Sequence, residues 1–310
     1  MERETFLPVR RLLAAIACSL ALLAPALAGD EAKGAAPTAD SSSSSTSSDD
    51  ADLAVKLPNF FGLSGMQDMI DARVPTGLTI RGGLRMEQAM QSLQGPILHF
   101  DQDVFSLQAY AGVAALELFE VGARLPFEFN RTTKGFKISG GNERQSGTNL
   151  GNFDLAGKIS IRFGQLSLAP YAVLTFPTGD PRFDQPGGGR VGGAATVSIL
   201  HSILDLHANV DGAWVAGGNW AIDYKVGVSV VPLASKVLLL RPYVFLKGTQ
   251  QLANNPGSDV RVALGVQGLI LDFVTVEAGM SYRFLSDTTP HDLPDDNGTW
   301  AFNIGAGVAF

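Results

Sequence analysis

The sequence predicts an all-β protein, an antiparallel up-and-down transmembrane β-barrel of about 12 strands. Three observations support this prediction. From residue 77 to the last residue, apolar and polar residues alternate with period 2, which is typical of strands with one apolar face. The alternating segments have about the 9–11 residues that a tilted strand needs to cross a bilayer. The chain ends on such a strand, with apolar residues at every second position from Trp300 to Phe310.

The terminal strand explains why the sheet is predicted to be closed and to lie in lipid. An apolar strand at the edge of a soluble sheet exposes unpaired N–H and C=O groups and invites aggregation. Closing the sheet removes this edge, and lipid solvates the apolar face. A soluble β-sandwich would alternate as well. Here, however, aromatic residues such as Phe129, Trp214 and Phe284 lie near strand ends, as in the interfacial belts of membrane proteins.

The first 28 residues have the features of a secretory signal peptide. Arginines precede an apolar core at 12–23, and Ala26-Leu27-Ala28 is a typical cleavage site. The apolar core is shorter than the roughly 18 residues that a spanning helix needs. The single cysteine, Cys18, lies inside this segment, so the exported chain is predicted to have no disulfides.

Two further segments separate the signal peptide from the barrel, which is predicted to occupy residues 77–310. Residues 29–57 are rich in Ser, Ala and Asp and are predicted to form a flexible periplasmic tether. Residues 58–76 contain Leu63, Met66 and Ile70 at helical spacing, which predicts a short amphipathic helix. Two placements of this helix stay open: a plug inside the barrel, or a cap at the membrane surface or in the periplasm.

Twelve strands are predicted, an even number as in single-chain bacterial barrels. In chain order they cover residues 78–87, 104–115, 119–129, 153–163, 166–176, 191–199, 204–215, 220–230, 240–247, 260–267, 274–284 and 300–310. Short connections alternate with longer polar ones, except at 217–218; the longer ones are 91–103, 132–149, 179–189, 251–259 and 286–298. This alternation matches short periplasmic turns and long extracellular loops, which predicts that both termini are periplasmic.

The polar face of the predicted strands carries similar numbers of acidic and basic residues, which can pair across neighbouring strands. A twelve-stranded barrel lies between small barrels filled by side chains and wide porins. A narrow polar pore and a packed ion-pair network therefore both stay open. The residues predicted to line the lumen or pore are Arg81, Arg85, Glu120, Arg124, Glu128, Asp154, Lys158, Arg162, Tyr171, Asp205, His207, Asp211, Asp223, Lys225, Arg241, Arg261, Glu277 and Arg283.

Short motifs in the second half of the chain carry a family resemblance. They are an L-x-L-x-P-Y strand from Leu166 to Tyr171, the loop Pro177-Thr178-Gly179-Asp180, a Gly-rich segment at 187–193, and Leu206-His207-Ala208-Asn209. Over about 152–310 they resemble the outer-membrane transporter family named for the MetA pathway of phenol degradation, and more broadly OmpA-like and porin-like barrels. The resemblance implies a Gram-negative outer-membrane channel for small solutes, hydrophobic or aromatic ones among them. The terminal Phe310 resembles the assembly signal read by the barrel assembly machinery.

Other classes of function are set aside. The net charge of −7 and the lack of a basic tract argue against nucleic-acid binding. His207 between Asp205 and Asp211 could suggest a protease barrel, but it lies close to a predicted periplasmic turn, so a histidine in a salt-bridge network is favoured. No catalytic residue, metal site or cofactor is predicted. We expect a passive channel in contact with outer-membrane lipid and lipopolysaccharide; the alternative is a non-conducting structural or surface-interaction barrel with a salt-bridged lumen.

Overall fold

The computed structural model describes residues 53–94, 98–136, 142–179, 187–200, 203–216, 219–235, 237–252, 258–286 and 300–310. The predicted signal peptide and most of the predicted tether lie outside these residues. The strands are β1 (Gly65–Met66), β2 (Met69–Ile70), β3 (Thr79–Gln94), β4 (Leu98–Ala115), β5 (Phe119–Phe136), β6 (Asn142–Leu150), β7 (Phe153–Ile159), β8 (Ile161–Phe163), β9 (Leu166–Phe176), β10 (Gly188–Ile199), β11 (Leu204–Val215), β12 (Asn219–Val230), β13 (Leu233–Ala234), β14 (Leu238–Gln251), β15 (Ser258–Ile270), β16 (Val274–Ser286) and β17 (Trp300–Ala309). Within the described residues, no helix has the length and apolar character needed to cross a membrane.

All strands except the short hairpin β1–β2 belong to one antiparallel sheet that closes on itself. β6, β7 and β8 follow one another along one barrel strand, and β13 continues β12, so the barrel has 12 strands. The last strand, β17, pairs with β3, with Ala309 opposite Arg81. The backbones of Ile80 and Phe310 exchange two hydrogen bonds of 2.9 Å. The predicted fold class, a closed up-and-down barrel of about 12 strands, is confirmed.

The period-2 pattern of the sequence separates the two faces of the barrel. Val210, Val191 and Ile304 are more than half exposed on the outer face, whereas the neighbouring Asn209 and Asn303 point inward and are buried. Large apolar side chains with high exposure occur on every long strand. An apolar outer surface of this extent is solvated by lipid rather than by water.

Two prolines coincide with the points where the β6–β7–β8 strand is divided. Pro126 in β5 lies opposite the gap between β6 and β7, and its carbonyl accepts a 2.8 Å hydrogen bond from the N–H of Gly151. Pro170 in β9 lies beside the gap between β7 and β8. Because proline has no N–H to donate to the ladder, strand pairing is interrupted at these positions.

The connections agree with the prediction at one end of the barrel and differ at the other. Short turns occur at 116–118, 164–165 and 271–273. The loops predicted at 91–103 and 132–149 are largely strand, because β3 and β4 continue to Gln94 and from Leu98, and β5 and β6 continue to Phe136 and from Asn142. These extensions are rich in polar residues, so they lack the apolar alternation from which the strand ends were predicted.

Candidate functional site in the barrel interior

Residues 53–76 lie inside the barrel, and we call them the plug. Residues 53–55 are helical, the chain then forms the β1–β2 hairpin, and it returns to the start of β3. Leu63, Met66 and Met69 are 0% exposed. The plug makes hydrogen bonds with inward side chains around the circumference, on β3, β5, β7, β10, β11, β12, β14, β15 and β17. Of the two placements considered for this segment, a plug inside the barrel and a cap outside it, the structure shows the plug.

The helix predicted within residues 58–76 is wrong, and the predicted tether boundary at residue 57 is too late. Gly62 has a φ of 76°, which an α-helix does not accommodate, and the remaining regular structure is the short β1–β2 hairpin. Ala54 and Leu57, assigned to the tether, are 1% exposed and pack against Leu239 and Leu269 of the barrel wall. Because the wall surrounds this segment, nearly all of its apolar residues are buried, and their spacing does not mark one buried face of a helix.

The plug backbone touches the wall where the wall has no side chain. A Cβ atom on Gly112 of β4 would lie 2.2 Å from the carbonyl oxygen of Gly62. Any larger residue at 112 would therefore displace the plug or the strand. The small wall residue shows that this side of the lumen is shaped for a polypeptide backbone.

The first of three ionic clusters is centred on Glu120 of β5. Its carboxylate accepts hydrogen bonds from the N–H (2.8 Å) and Oγ (2.9 Å) of Ser64 in the plug. It also pairs with Arg81 and, at 2.7 Å, with Nζ of Lys158. All four side chains are buried. One wall carboxylate thus balances two wall cations and anchors the plug.

The second cluster is centred on Arg73 of the plug. Its Nη2 lies 2.7 Å from Oδ2 of Asp71 and 2.7 Å from Oδ2 of Asp205 on β11. Burial by itself would raise the pKa of Asp71, but the guanidinium of Arg73 holds that pKa well below its usual range. Burial would likewise lower the pKa of Arg73, and the two carboxylates raise it instead. Both plug groups therefore stay charged at neutral pH.

His207 of β11 lies beside this second cluster. Its Nδ1 is 3.2 Å from Oγ1 of Thr196, and its Nε2 is 3.0 Å from Oγ of Ser229. The ring is 2% exposed. Both ring nitrogens are occupied by hydroxyl groups, so His207 is part of the packed interior.

The third cluster lies at the turn between β1 and β2, where Asp68 reaches two wall lysines. Oδ2 of Asp68 is 2.7 Å from Nζ of Lys247 and 3.6 Å from Nζ of Lys225. Nζ of Lys225 also donates to the carbonyl oxygen of Asp68 at 3.0 Å. Burial would raise the pKa of Asp68, but Lys225 and Lys247 together lower it below its usual range.

A cavity of about 360 Å³ remains above the plug, at the barrel end with the long connections, and we call it the vestibule. Phe61 of the plug contributes to its lining together with Val173 and Trp214. The guanidinium carbons of Arg124 and Arg190 lie 5.1 Å and 5.7 Å from the centroid of the Phe61 ring. The vestibule therefore combines aromatic surface with flanking cations.

The other residues predicted to line the lumen also point inward. Arg124 pairs with Asp154, and Arg85 with Glu277. Asp211 and Asp223 both pair with Arg190, which was not among the predicted residues, and Tyr171 donates to Asp211 at 2.5 Å. Arg241 donates to plug carbonyl groups, Arg261 and Arg283 contact Asp259, and Glu128 lines the vestibule. Arg162 is exposed near the short turns, where it donates to the carbonyl group of Val74. Whether these residues line a conducting pore stays a prediction.

Several interior partners were missed by the sequence prediction. Ser64, Asp68, Asp71 and Arg73 of the plug supply much of the ionic network. The signal was present in the sequence, since charged residues interrupt an otherwise apolar segment. Among the described residues, no group of three or more His, Cys, Asp or Glu side chains is placed to hold a metal ion.

Comparisons with known proteins identify the fold. No family model and no curated protein matches the sequence. The chain is similar to the COG4313 outer membrane channel from Pseudomonas putida F1, with a TM-score of 0.51 and 12% identity over 76% of this chain and 97% of that chain. It is also similar to the transport unit of the autotransporter AIDA-I from Escherichia coli, with a TM-score of 0.51 and 11% identity over 76% of this chain and 91% of that chain. At these identities the likeness shows an outer-membrane barrel fold.

Proposed function

We propose that the protein is a passive channel of the outer membrane whose lumen is closed by the plug. The observation that carries this proposal is that the lumen is filled by a separate segment, not by side chains of the wall alone. Gly112, Ala156 and Ala194 are small inward residues that leave room for the plug backbone and side chains. If the plug moves out, the wall encloses a water-filled path lined by polar side chains.

The path of the plug supports a reversible closure. Near its start, Nζ of Lys56 lies 3.2 Å from Oδ1 of Asp272 in a short turn. Near its end, Val74 contacts Arg162 beside the turn at 164–165. The plug therefore enters and leaves by the same end of the barrel. It can withdraw as a hairpin without breaking any ladder between barrel strands, and water can replace its polar contacts.

The membrane, partners and solute class follow from the same proposal. The apolar outer face and the predicted signal peptide support insertion in the outer membrane, in contact with lipid and lipopolysaccharide. One barrel of similar fold is an outer membrane channel. The aromatic lining of the vestibule and the family resemblance to MetA-pathway transporters support small solutes, hydrophobic or aromatic ones among them. His207 is buried behind the plug, out of reach of a substrate, which supports a channel over an enzyme.

A non-conducting barrel is the second candidate. It is favoured by the depth of the plug, in which Leu63 and Met66 are 0% exposed, and by the three ionic clusters that hold it. In that case the plug is a permanent filling that stiffens the barrel, and the outer end of the protein contacts other surface molecules.

Deleting residues 53–74 separates these two candidates. In planar bilayers we expect the full-length protein to be closed most of the time and the deletion variant to give stable, discrete conductance steps, because the lumen then fills with water. Deletion of residues 31–52, a segment of the same length before the plug, is the matched control and should leave the channel closed. A plug-deleted protein that folds, shown by heat-modifiable migration, and still passes no current would favour the non-conducting barrel.

We also propose that Phe310 is part of the assembly signal. Deleting it should lower the amount of folded barrel in the outer membrane and increase periplasmic degradation. Phe310 has a structural role as well, since its ring stacks on Phe273 with centroids 5.8 Å apart. Phe273→Ala removes the same stacking but keeps the terminal residue, so it should reduce assembly much less. Equal membrane levels of wild-type and Phe310-deleted protein would contradict a signalling role, and equal losses in both variants would indicate packing alone.

A further inference from the structure

Four basic residues stand side by side on the inner face of β12, β14, β15 and β16, and we call them the cationic row. In the strand register Lys225 lies opposite Lys247, Lys247 opposite Arg261, and Arg261 opposite Arg283. Like charges directly opposite one another on neighbouring strands destabilise a sheet. The cationic row therefore needs anions in front of it.

Carboxylates of the barrel wall and one carboxylate of the plug supply these anions. Asp259, which belongs to the wall, lies 2.9 Å from Nε of Arg261 and 3.3 Å from Nε of Arg283. Lys225 has a weak wall partner in Asp211, at 3.9 Å. The close carboxylate at the lysine end of the row is Asp68 of the plug, 2.7 Å from Nζ of Lys247. Among the described residues, Asp68 is the one carboxylate within ion-pair distance of Lys247.

The difference between these carboxylates is that Asp68 belongs to the segment that closes the lumen. When the plug withdraws, Asp259 and Asp211 stay on the wall, but Lys247 loses its carboxylate. Lys225 and Lys247 then give this part of the open lumen an excess of positive charge. A narrow lumen with low-dielectric walls strengthens the attraction of such a site for anions.

We propose that the cationic row binds the carboxylate of small organic acids and that Asp68 occupies this site as an internal ligand. This inference rests on the proposed channel function. Lys247 and Arg261 keep 24% and 32% of their side-chain surface exposed with the plug in place, so a solute can reach them. A solute carboxylate competes with Asp68 for Lys247. Binding therefore favours the withdrawn plug, and by linkage the solute promotes opening of its own channel.

Ligand binding is tested first without any need for current. The probe is benzoate, an aromatic carboxylate, and benzamide is the uncharged control of the same shape. By titration calorimetry, the folded plug-deleted barrel should bind benzoate and not benzamide. The double variant K247Q/R261Q should weaken benzoate binding by about tenfold or more, since charge-assisted hydrogen bonds are lost. Lys247→Arg keeps the charge and should retain binding. Equal affinity for benzoate in K247Q/R261Q and in the parent would overturn the proposal.

Ion selectivity gives the second measurement. The reversal potential of the plug-deleted channel in a potassium chloride gradient should indicate a preference for chloride, which K247Q/R261Q removes and Lys247→Arg preserves. Addition of benzoate should reduce the chloride current. A conducting channel with no chloride preference and no response to benzoate would overturn the cationic row as an anion site while the channel function stands. A silent barrel that still binds benzoate would overturn the channel function and leave the site in place.

The role of Asp68 as an internal ligand is tested in the full-length protein. Asp68→Asn should increase the open fraction and remove the opening effect of benzoate. Gln67→Ala is the matched control in the same turn, because it loses the 2.9 Å hydrogen bond from Nε2 of Gln67 to Oδ1 of Asn303 but leaves all charges unchanged. An equal increase in opening in both variants would show that Asp68 acts only as one more contact of the plug.

Discussion

Replacing Glu120 by glutamine should destabilise the barrel by about 3–5 kcal/mol, the cost of removing one partner from a buried ion pair. Glutamine keeps the size of the side chain and an oxygen that can accept from Ser64. It leaves Arg81 and Lys158, both buried, without the carboxylate that balances them. Urea unfolding of the protein in lipid vesicles measures this change in the free energy of unfolding.

Two comparisons make the result specific. Glu117→Gln in an exposed turn removes the same charge and should change stability by no more than about 0.5 kcal/mol. In the plug-deleted protein Glu120→Gln should cost less, because water then reaches Arg81 and Lys158. An equal cost with and without the plug would mean that the plug does not keep this cluster dry.

An arginine at Val210 should destabilise the barrel by about 2–4 kcal/mol, since it places a charge in the middle of the bilayer. Val210 is 58% exposed on the outer face, near the centre of β11. The next residue back along the strand, Asn209, points inward and donates from Nδ2 to the carbonyl oxygen of Ile70 at 3.0 Å. Arginine at 209 therefore meets the plug in the full-length protein and water in the plug-deleted one.

The plug-deleted protein gives the fair comparison of the two faces. There, Asn209→Arg should cost clearly less than Val210→Arg, because the arginine enters a hydrated interior near Asp211. Urea unfolding in lipid vesicles again provides the measurement. If Asn209→Arg is the more damaging by more than about 1 kcal/mol, the inner and outer faces are reversed or the barrel does not lie in lipid.

The strands inside the apolar band could be predicted because lipid on one side and polar side chains on the other impose period 2. The pair Val210 and Asn209 and the pair Phe302 and Asn303 show this alternation directly. Outside this apolar band both faces of a strand contact water, so the solvent no longer differs between the two faces. The polar ends of the strands therefore carry no such signal, and β6 was predicted as loop.

The plug could be predicted as a separate segment of the chain, but its conformation could not be predicted. A segment that the barrel wall surrounds on all sides has no solvent-facing side. The spacing of its apolar residues therefore carries no information about its secondary structure, and the helical spacing of Leu63, Met66 and Ile70 is a coincidence. The partners of its charges were also beyond prediction. The pair of Arg81 with Glu120 joins β3 to β5 across an intervening strand, and Arg73 reaches Asp205 far along the chain. Such contacts depend on register and lumen width.

The seam between β17 and β3 has a consequence for the order of assembly. It joins the two ends of the barrel sequence, whereas every other pairing joins neighbours along the chain. Contacts between distant residues form slowly, because a long loop must close before they are gained. We therefore expect hairpins to form first and the seam last. The plug makes hydrogen bonds to both strands of the seam, to Arg81 on β3 and Asn303 on β17, so its full set of contacts forms only after the seam has closed, and its buried charges lose their water in that last step.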